Sequence, residues 1–127
     1  MNIQPQTMIL ELDGQKHSLI LNFNVLAELQ TQCGELRGVM RTDSIMRNFA
    51  RIVAAMLNEE ANIAGLDVHY TDKEIGRKLG WKGFQRYKDD VFALFIAAIS
   101  DEGGEDADQP AEGNEKNAQT SEAAATD

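Results

Sequence analysis

The fold is decided by residues 7–23, TMILELDGQKHSLILNF. Apolar and polar side chains alternate on both sides of Asp13-Gly14, a dipeptide favoured in two-residue hairpin turns because both of its residues tolerate positive φ. One face carries Met8, Leu10 and Leu12 of a first strand and His17, Leu19, Leu21 and Phe23 of a second, and all of these except His17 are apolar. The pattern predicts a β-hairpin, and its apolar face must pack on helices, since an isolated hairpin is marginal in water.

Four helical segments are predicted after the hairpin, at about 25–33, 45–61, 71–79 and 84–100. Asn22 or Asn24 can cap the first, which Gly34 is placed to end, and Asp43 or Ser44 can cap the second. Thr71 to Glu74 fits the capping-box spacing at the start of the third. We therefore expect an α+β, mostly α domain at residues 1–100, with an N-terminal β-hairpin packed on about four helices.

The formal charge of −9 is unevenly distributed. Residues 101–127 contain nine acids and the single base Lys116, whereas residues 1–100 contain twelve acids and eleven bases. The C-terminal stretch has no aromatic residue and no Val, Leu, Ile or Met. It cannot bury enough apolar surface to offset the entropy cost of ordering. The sequence predicts one domain, residues 1–100, followed by a disordered acidic tail, residues 101–127.

Candidate catalytic or metal-binding residues are few. His17 and His69 are the only histidines and have no partner at metal-ligand spacing, and Cys33 lies on an apolar helix stripe with no nearby His. We expect ordinary hydrogen-bonding histidines, an inert thiol, no enzyme, no metal and no cofactor. The chain opens with neither a basic nor an apolar run, and its longest apolar stretch is too short to span a membrane. A reducing cytoplasm is the expected compartment.

One segment suggests DNA binding as an alternative. Residues 74–81, EIGRKLGW, resemble the first helix and turn of a helix-turn-helix, so residues 71–90 could form that motif and place a second helix in the major groove. The same spacing is common where two helices merely pack. Asp89 and Asp90 directly follow the bases of the second segment, and the tail adds negative charge that opposes DNA. Packing is therefore the favoured interpretation, and no nucleic-acid partner is expected.

The segment from Leu19 to Gly34, LILNFNVLAELQTQCG, resembles the opening of the tail assembly chaperones of long-tailed phages. That family's pattern is a hydrophobic strand, Phe-Asn, an apolar pair, then x-Glu-Leu-Glu-x-x-x-Gly. Phe23-Asn24, Leu26, Glu28-Leu29 and Gly34 match it, whereas Gln30 stands where an acid is more usual. A looser likeness is the Thr-x-x-Glu helix start at Thr71. The resemblance covers roughly residues 7–100.

The resemblance implies a non-enzymatic protein that is active in the host cytoplasm during virion assembly and absent from the mature virion. It implies binding to the tape measure protein and to the major tail tube protein. Many members are also made as a longer form by a −1 frameshift, which would be a further partner. The tripeptide Glu115-Lys116-Asn117 can be encoded by a slippery run. A generic adaptor or an antitoxin-like protein remains an alternative.

A chaperone for a long helical client needs exposed apolar grooves and no active site. Methionines offer an adaptable surface for such contacts, although core packing is their commoner role. The apolar side chains that we expect to contact a protein partner are Phe23, Leu26, Leu29, Met40, Met46, Trp81 and Phe84.

Overall fold

The computed structural model describes residues 6–103. These residues belong to two compact units, one containing residues 6–96 and the other containing residues 97–103. The first unit is mostly helical and carries the hairpin at its N-terminal end. The tail predicted at residues 101–127 falls outside the described residues from position 104 onward.

The predicted hairpin is confirmed. Strands β1 (Gln6–Leu12) and β2 (Gln15–Leu21) pair antiparallel. The two residues between them, Asp13 and Gly14, have φ angles of 54° and 76°. Positive φ at both positions is what a type I′ turn requires, and the twist of that turn matches the twist of the strands. The apolar face is buried through Leu10, Leu12, Leu19 and Leu21.

Phe23 does not continue the apolar face of β2, contrary to the prediction. The strand ends at Leu21, and Phe23 is the first residue of helix α1 (Phe23–Cys33), where its side chain is 69% exposed. The cause is the helix cap, because Asn22 Oδ1 accepts a hydrogen bond from the Val25 N–H at 3.1 Å. The helix therefore begins two residues earlier than predicted and carries Phe23 away from the sheet.

Helix α1 ends at Gly34, as predicted. Gly34 has a φ of 84°, and its N–H donates to the Gln30 carbonyl at 2.9 Å. Helix α2 (Ile45–Ala64) follows two short 3-10 turns, runs three residues past its predicted end and forms the centre of the core. Its buried apolar side chains are Phe49, Ala50, Ile52, Val53, Ala54, Ala55, Met56, Leu57 and Ala61.

Helix α3 (Asp72–Gly103) is interrupted once, at Gly80, which has a φ of 65° and a ψ of −168°. Its start is the predicted one, since Thr71 Oγ1 accepts the Glu74 N–H at 3.1 Å. The chain returns to helical geometry at Trp81, three residues earlier than predicted. Residues 6–103 therefore contain three α-helices, one of them broken, and the predicted count of about four is not confirmed.

Side chains of helix α3 also form hydrogen bonds with the hairpin, one of them at its free edge. The two-residue turn closes on the pair Leu12–Gln15, so the N–H of the preceding residue, Glu11, points away from β2. That N–H donates to the hydroxyl oxygen of Tyr87 at 3.0 Å. The ammonium of Lys78 donates to the Asp13 carboxylate at the turn. Two side chains of α3 thus fix the position of the hairpin.

Candidate protein-binding groove

An apolar groove lies between α2 and α3. Its volume is about 170 Å³. An apolar cavity of about 150 Å³ is large enough to hold a benzene molecule. The groove can therefore accept one large apolar side chain from another molecule. We call it the α2–α3 groove, and its large lining side chains are Met46, Phe49, Ile75, Leu79, Trp81 and Phe84.

Three aromatic rings, one from α2 and two from α3, line the groove. Trp81 stacks on Phe84, with ring centroids 5.5 Å apart and 25° between the ring planes. Phe84 in turn meets the edge of Phe49, with centroids 5.0 Å apart and an interplanar angle of 83°. Both phenylalanines are buried, whereas Trp81 is 58% exposed and Met46 is 51% exposed. Two exposed apolar side chains therefore form a rim above a buried aromatic floor.

Glycines give the α3 side of the groove its shape. The positive φ of Gly80 breaks the helix directly before Trp81, a conformation that glycine adopts without steric cost. A Cβ added at Gly83 would lie 2.6 Å from Leu79 Cβ, so the chain packs closely across the break. Gly76 also lines the groove, and a Cβ added there would meet no atom within 4 Å. The space beside Gly76 is therefore open.

The structure brings together three of the seven predicted partner-binding residues. Met46, Trp81 and Phe84 all line the α2–α3 groove. They come from two different helices and are separated by 35 positions in sequence between Met46 and Trp81. In the sequence these residues share only their apolar character, so their convergence on one surface is visible only in the structure. Phe49, Ile75, Gly76 and Leu79 also line the groove and were not predicted to do so. The signal at Gly76 is a glycine inside a predicted helix.

The other four predicted residues lie elsewhere. Leu26 and Leu29 are 5% and 0% exposed, so they pack in the core and a partner cannot reach them while the domain is folded. Their helix turns its apolar stripe toward α2, the central helix, which explains their burial. Phe23 is exposed at the start of α1, and Met40 is half-buried in a 3-10 turn. Neither of these two lines the groove.

A second cleft, of about 350 Å³, lies between α1 and α2 and is lined mainly by polar side chains. Glu59 accepts hydrogen bonds there from Asn22 at 2.8 Å and from Asn24 at 3.3 Å. Asn58 accepts the N–H of Tyr70 at 2.6 Å and donates to its carbonyl at 2.9 Å. These contacts tie α1 and the segment before α3 to the central helix, which is a structural role.

A third cleft contains Cys33, Asn48 and Arg51. Asn48 is 3% exposed, and its side chain donates to the Val39 carbonyl at 2.9 Å and accepts from Arg51 at 3.1 Å. The half-buried Cys33 thiol donates to Asn48 Oδ1 at 3.6 Å. The buried amide thus has partners at both ends and connects α2 to the first of the two 3-10 turns, Leu36–Met40, which contains Val39.

The histidines lie apart from the α2–α3 groove. His17 Nδ1 is 2.8 Å from a carboxylate oxygen of Glu60, and His69 lies in the cleft between α1 and α2. Within residues 6–103, no group of three or more His, Cys, Asp or Glu residues is placed to hold a metal ion. Over the same residues, no helix combines the length and apolar character needed to cross a membrane.

Comparisons of the chain with protein-family models, with curated proteins and with solved structures each find no significant match. The α2–α3 groove is therefore the feature on which a functional proposal rests.

Proposed function

We propose that this chain is a non-enzymatic tail assembly chaperone of a long-tailed phage or prophage. In this proposal it binds the tape measure protein and tail tube subunits in the host cytoplasm and does not remain in the mature virion. The observation that carries the proposal is the α2–α3 groove, which offers an exposed apolar rim at Met46 and Trp81. The resemblance of residues 19–34 to that family supplies the identity of the client.

The amount of apolar surface that is exposed at the rim of the groove suits transient binding. Completely burying one large apolar side chain contributes about 1.5–3 kcal/mol. Met46 and Trp81 are already about half covered in the free protein, so a client that covers both gains about 2–3 kcal/mol from them. Several such contacts along a long client would keep it soluble, while each one remains weak enough to be displaced during assembly.

The helix-turn-helix alternative gains no support from the geometry of residues 71–90. That motif joins its helices by a turn of about three to four residues. Here Gly80 alone departs from helical geometry. Of the bases on the second segment, Lys88 already lies 3.0 Å from the Asp89 carboxylate. A general adaptor would use the same groove, and only the identity of the client separates it from a chaperone.

Co-expression tests the proposed function. The tape measure protein of the phage or prophage that encodes this chain is produced in bacteria alone, with this chain, and with two variants of this chain. Trp81→Ala removes the exposed rim of the groove, and the matched control Ile63→Ala removes a side chain of α2 that is 66% exposed and lies outside it. We expect soluble client with the unchanged chain and with the control only. A client that is equally insoluble with and without this chain contradicts the proposal.

A further inference from the structure

We infer that the α2–α3 groove binds an acidic amphipathic helix that inserts one large apolar side chain, Leu or Phe. The inference rests on the proposed function, because it names the chemistry of the client segment that the groove recognises. Three features carry it: the charge around the groove, the size of its cavity and the open space at Gly76.

The groove lies in a basic region of an acidic protein. Residues 46–50 and 75–84, the segments that line it, contain four bases and no acid, although the whole chain has a net charge of −9. Two of the four bases have an acidic partner. Arg47 lies 3.2 Å from Asp72, and Lys78 pairs with Asp13 and lies 3.8 Å from Glu74. The walls therefore present an excess of positive charge.

Four bases of α3 lack a carboxylate within ion-pair distance among the described residues, and all four are exposed. They are Lys73, Arg77, Lys82 and Arg86. Each lies within two positions of a groove-lining residue of the same helix. Charges interact across about 8 Å at physiological ionic strength, so those of the four that lie within this distance of a helix docked over the groove act on it. A partner with Asp or Glu beside its apolar side chains is the complementary one.

Lys78 does not add to this positive charge. Its ammonium donates a hydrogen bond to the Asp13 carboxylate, which raises the pKa of the ammonium, and it lies 3.8 Å from Glu74. These two carboxylates offset its charge, so the positive charge near the groove comes from the four bases that have no such partner.

The cavity determines the apolar part of the partner. A volume of about 170 Å³ accommodates one leucine or phenylalanine side chain. A Cβ added at Gly76 would meet no atom within 4 Å, so the wall of the groove is not filled at that position. A groove between two helices is a typical docking site for an amphipathic helix, which presents apolar side chains at intervals of three or four residues. Residues 104–127 of this chain match the required charge but contain no Val, Leu, Ile, Met or aromatic residue to fill the cavity.

Three synthetic peptides of about 18 residues, each without aromatic residues, test the inference on the full-length protein. The first is an amphipathic helix with Leu anchors and Glu flanks, the second has Lys flanks, and the third has Ala in place of Leu. Trp81, the only tryptophan of the chain, reports occupancy of the groove by its fluorescence. We expect a blue shift with the Glu–Leu peptide, and an affinity at least about tenfold above that of the other two. The affinity should fall as salt rises from about 0.05 to 0.3 M.

Substitutions separate the apolar contribution from the charge contribution. Gly76→Leu fills the cavity and should weaken binding of the Glu–Leu peptide by about tenfold or more without lowering the melting temperature. Ala93→Leu is the matched control, because it adds the same side chain at an exposed position of α3 outside the groove and should leave the affinity unchanged. Lys82→Glu combined with Arg86→Glu should abolish the preference for Glu flanks over Lys flanks.

Equal binding of the three peptides, or unchanged binding to Gly76→Leu, would overturn the inference. A synthetic peptide of residues 104–127 that shifts Trp81 emission as strongly as the Glu–Leu peptide would assign the groove to the chain's own tail. Duplex DNA that displaces the Glu–Leu peptide would assign the basic walls to nucleic acid. Peptide preference without solubilisation of the tape measure protein would contradict only the proposed function. Solubilisation without peptide preference would contradict only this inference.

Discussion

Trp81 and Phe84 form a single aromatic stack with centroids 5.5 Å apart, yet one ring is 58% exposed and the other is 8% exposed. The two residues lie three positions apart on α3, so they share a helix face. Phe84 is part of the core through its contact with Phe49, whereas most of the Trp81 side chain remains accessible to solvent. The free energy of unfolding should therefore depend mainly on Phe84, whereas partner binding should depend mainly on Trp81.

Substitution of each ring by alanine tests this division. Phe84→Ala should lower the free energy of unfolding by about 3 kcal/mol or more, because it leaves a cavity beside Phe49. Trp81→Ala should lower it by only about 1 kcal/mol, because more than half of the side chain is already exposed. Urea denaturation followed by far-UV circular dichroism measures both values. Equal losses of unfolding free energy in the two variants would show that Trp81 is a core residue and not part of the exposed rim.

Gly76 and Gly80 should respond in opposite ways to the same substitution. Gly76→Ala should raise the free energy of unfolding by about 0.5–1 kcal/mol, since alanine favours the helix and its Cβ meets open space. Gly80→Ala should lower it by about 1 kcal/mol, since φ at that position is 65°. Thermal denaturation of both variants measures the difference. A destabilised Gly76→Ala protein would mean that the space beside Gly76 is not open.

The hairpin turn and the positions of the helices could be predicted from the sequence, whereas the α2–α3 groove could not. The two-residue turn at Asp13-Gly14 depends on residues close in the chain, so the residue types sufficed to predict it. They restricted the helix cap to Asn22 or Asn24 without deciding between the two. Phe23 was placed wrongly because the cap and the strand compete for the same residues. The groove joins Met46 to Trp81 across 35 positions, and only the packing of α2 against α3 reveals which apolar side chains remain exposed.

The cap at Asn22 can be isolated by comparison with Asn24. Both side chains donate to Glu59, but only Asn22 also accepts the Val25 N–H. Asn22→Ala should therefore lower the free energy of unfolding by about 1 kcal/mol more than Asn24→Ala. Chemical denaturation of the two variants measures the difference. Equal losses would indicate that the contacts with Glu59, rather than the helix cap, account for the effect.

The contact between Tyr87 and Glu11 should be detectable at one amide. Tyr87→Phe removes the hydroxyl that accepts the Glu11 N–H, at a cost of about 1 kcal/mol. Hydrogen exchange at the Glu11 amide should become faster, because that group lies on the free edge of β1. Tyr70→Phe is the control, since Tyr70 contacts Asn58 through its main chain. Unchanged exchange at Glu11 in the Tyr87 variant would contradict the edge contact.

Hydrogen–deuterium exchange of the full-length chain, alone and bound to the tape measure protein, tests the central claim most directly. If the α2–α3 groove is the client site, bound client should slow exchange in residues 46–50 and 75–84, the segments that line it. The polar cleft between α1 and α2, at residues 24–28 and 58–62, should exchange as in the free protein. Slowing confined to that polar cleft, with residues 75–84 unchanged, would contradict the assignment of the groove as the client site.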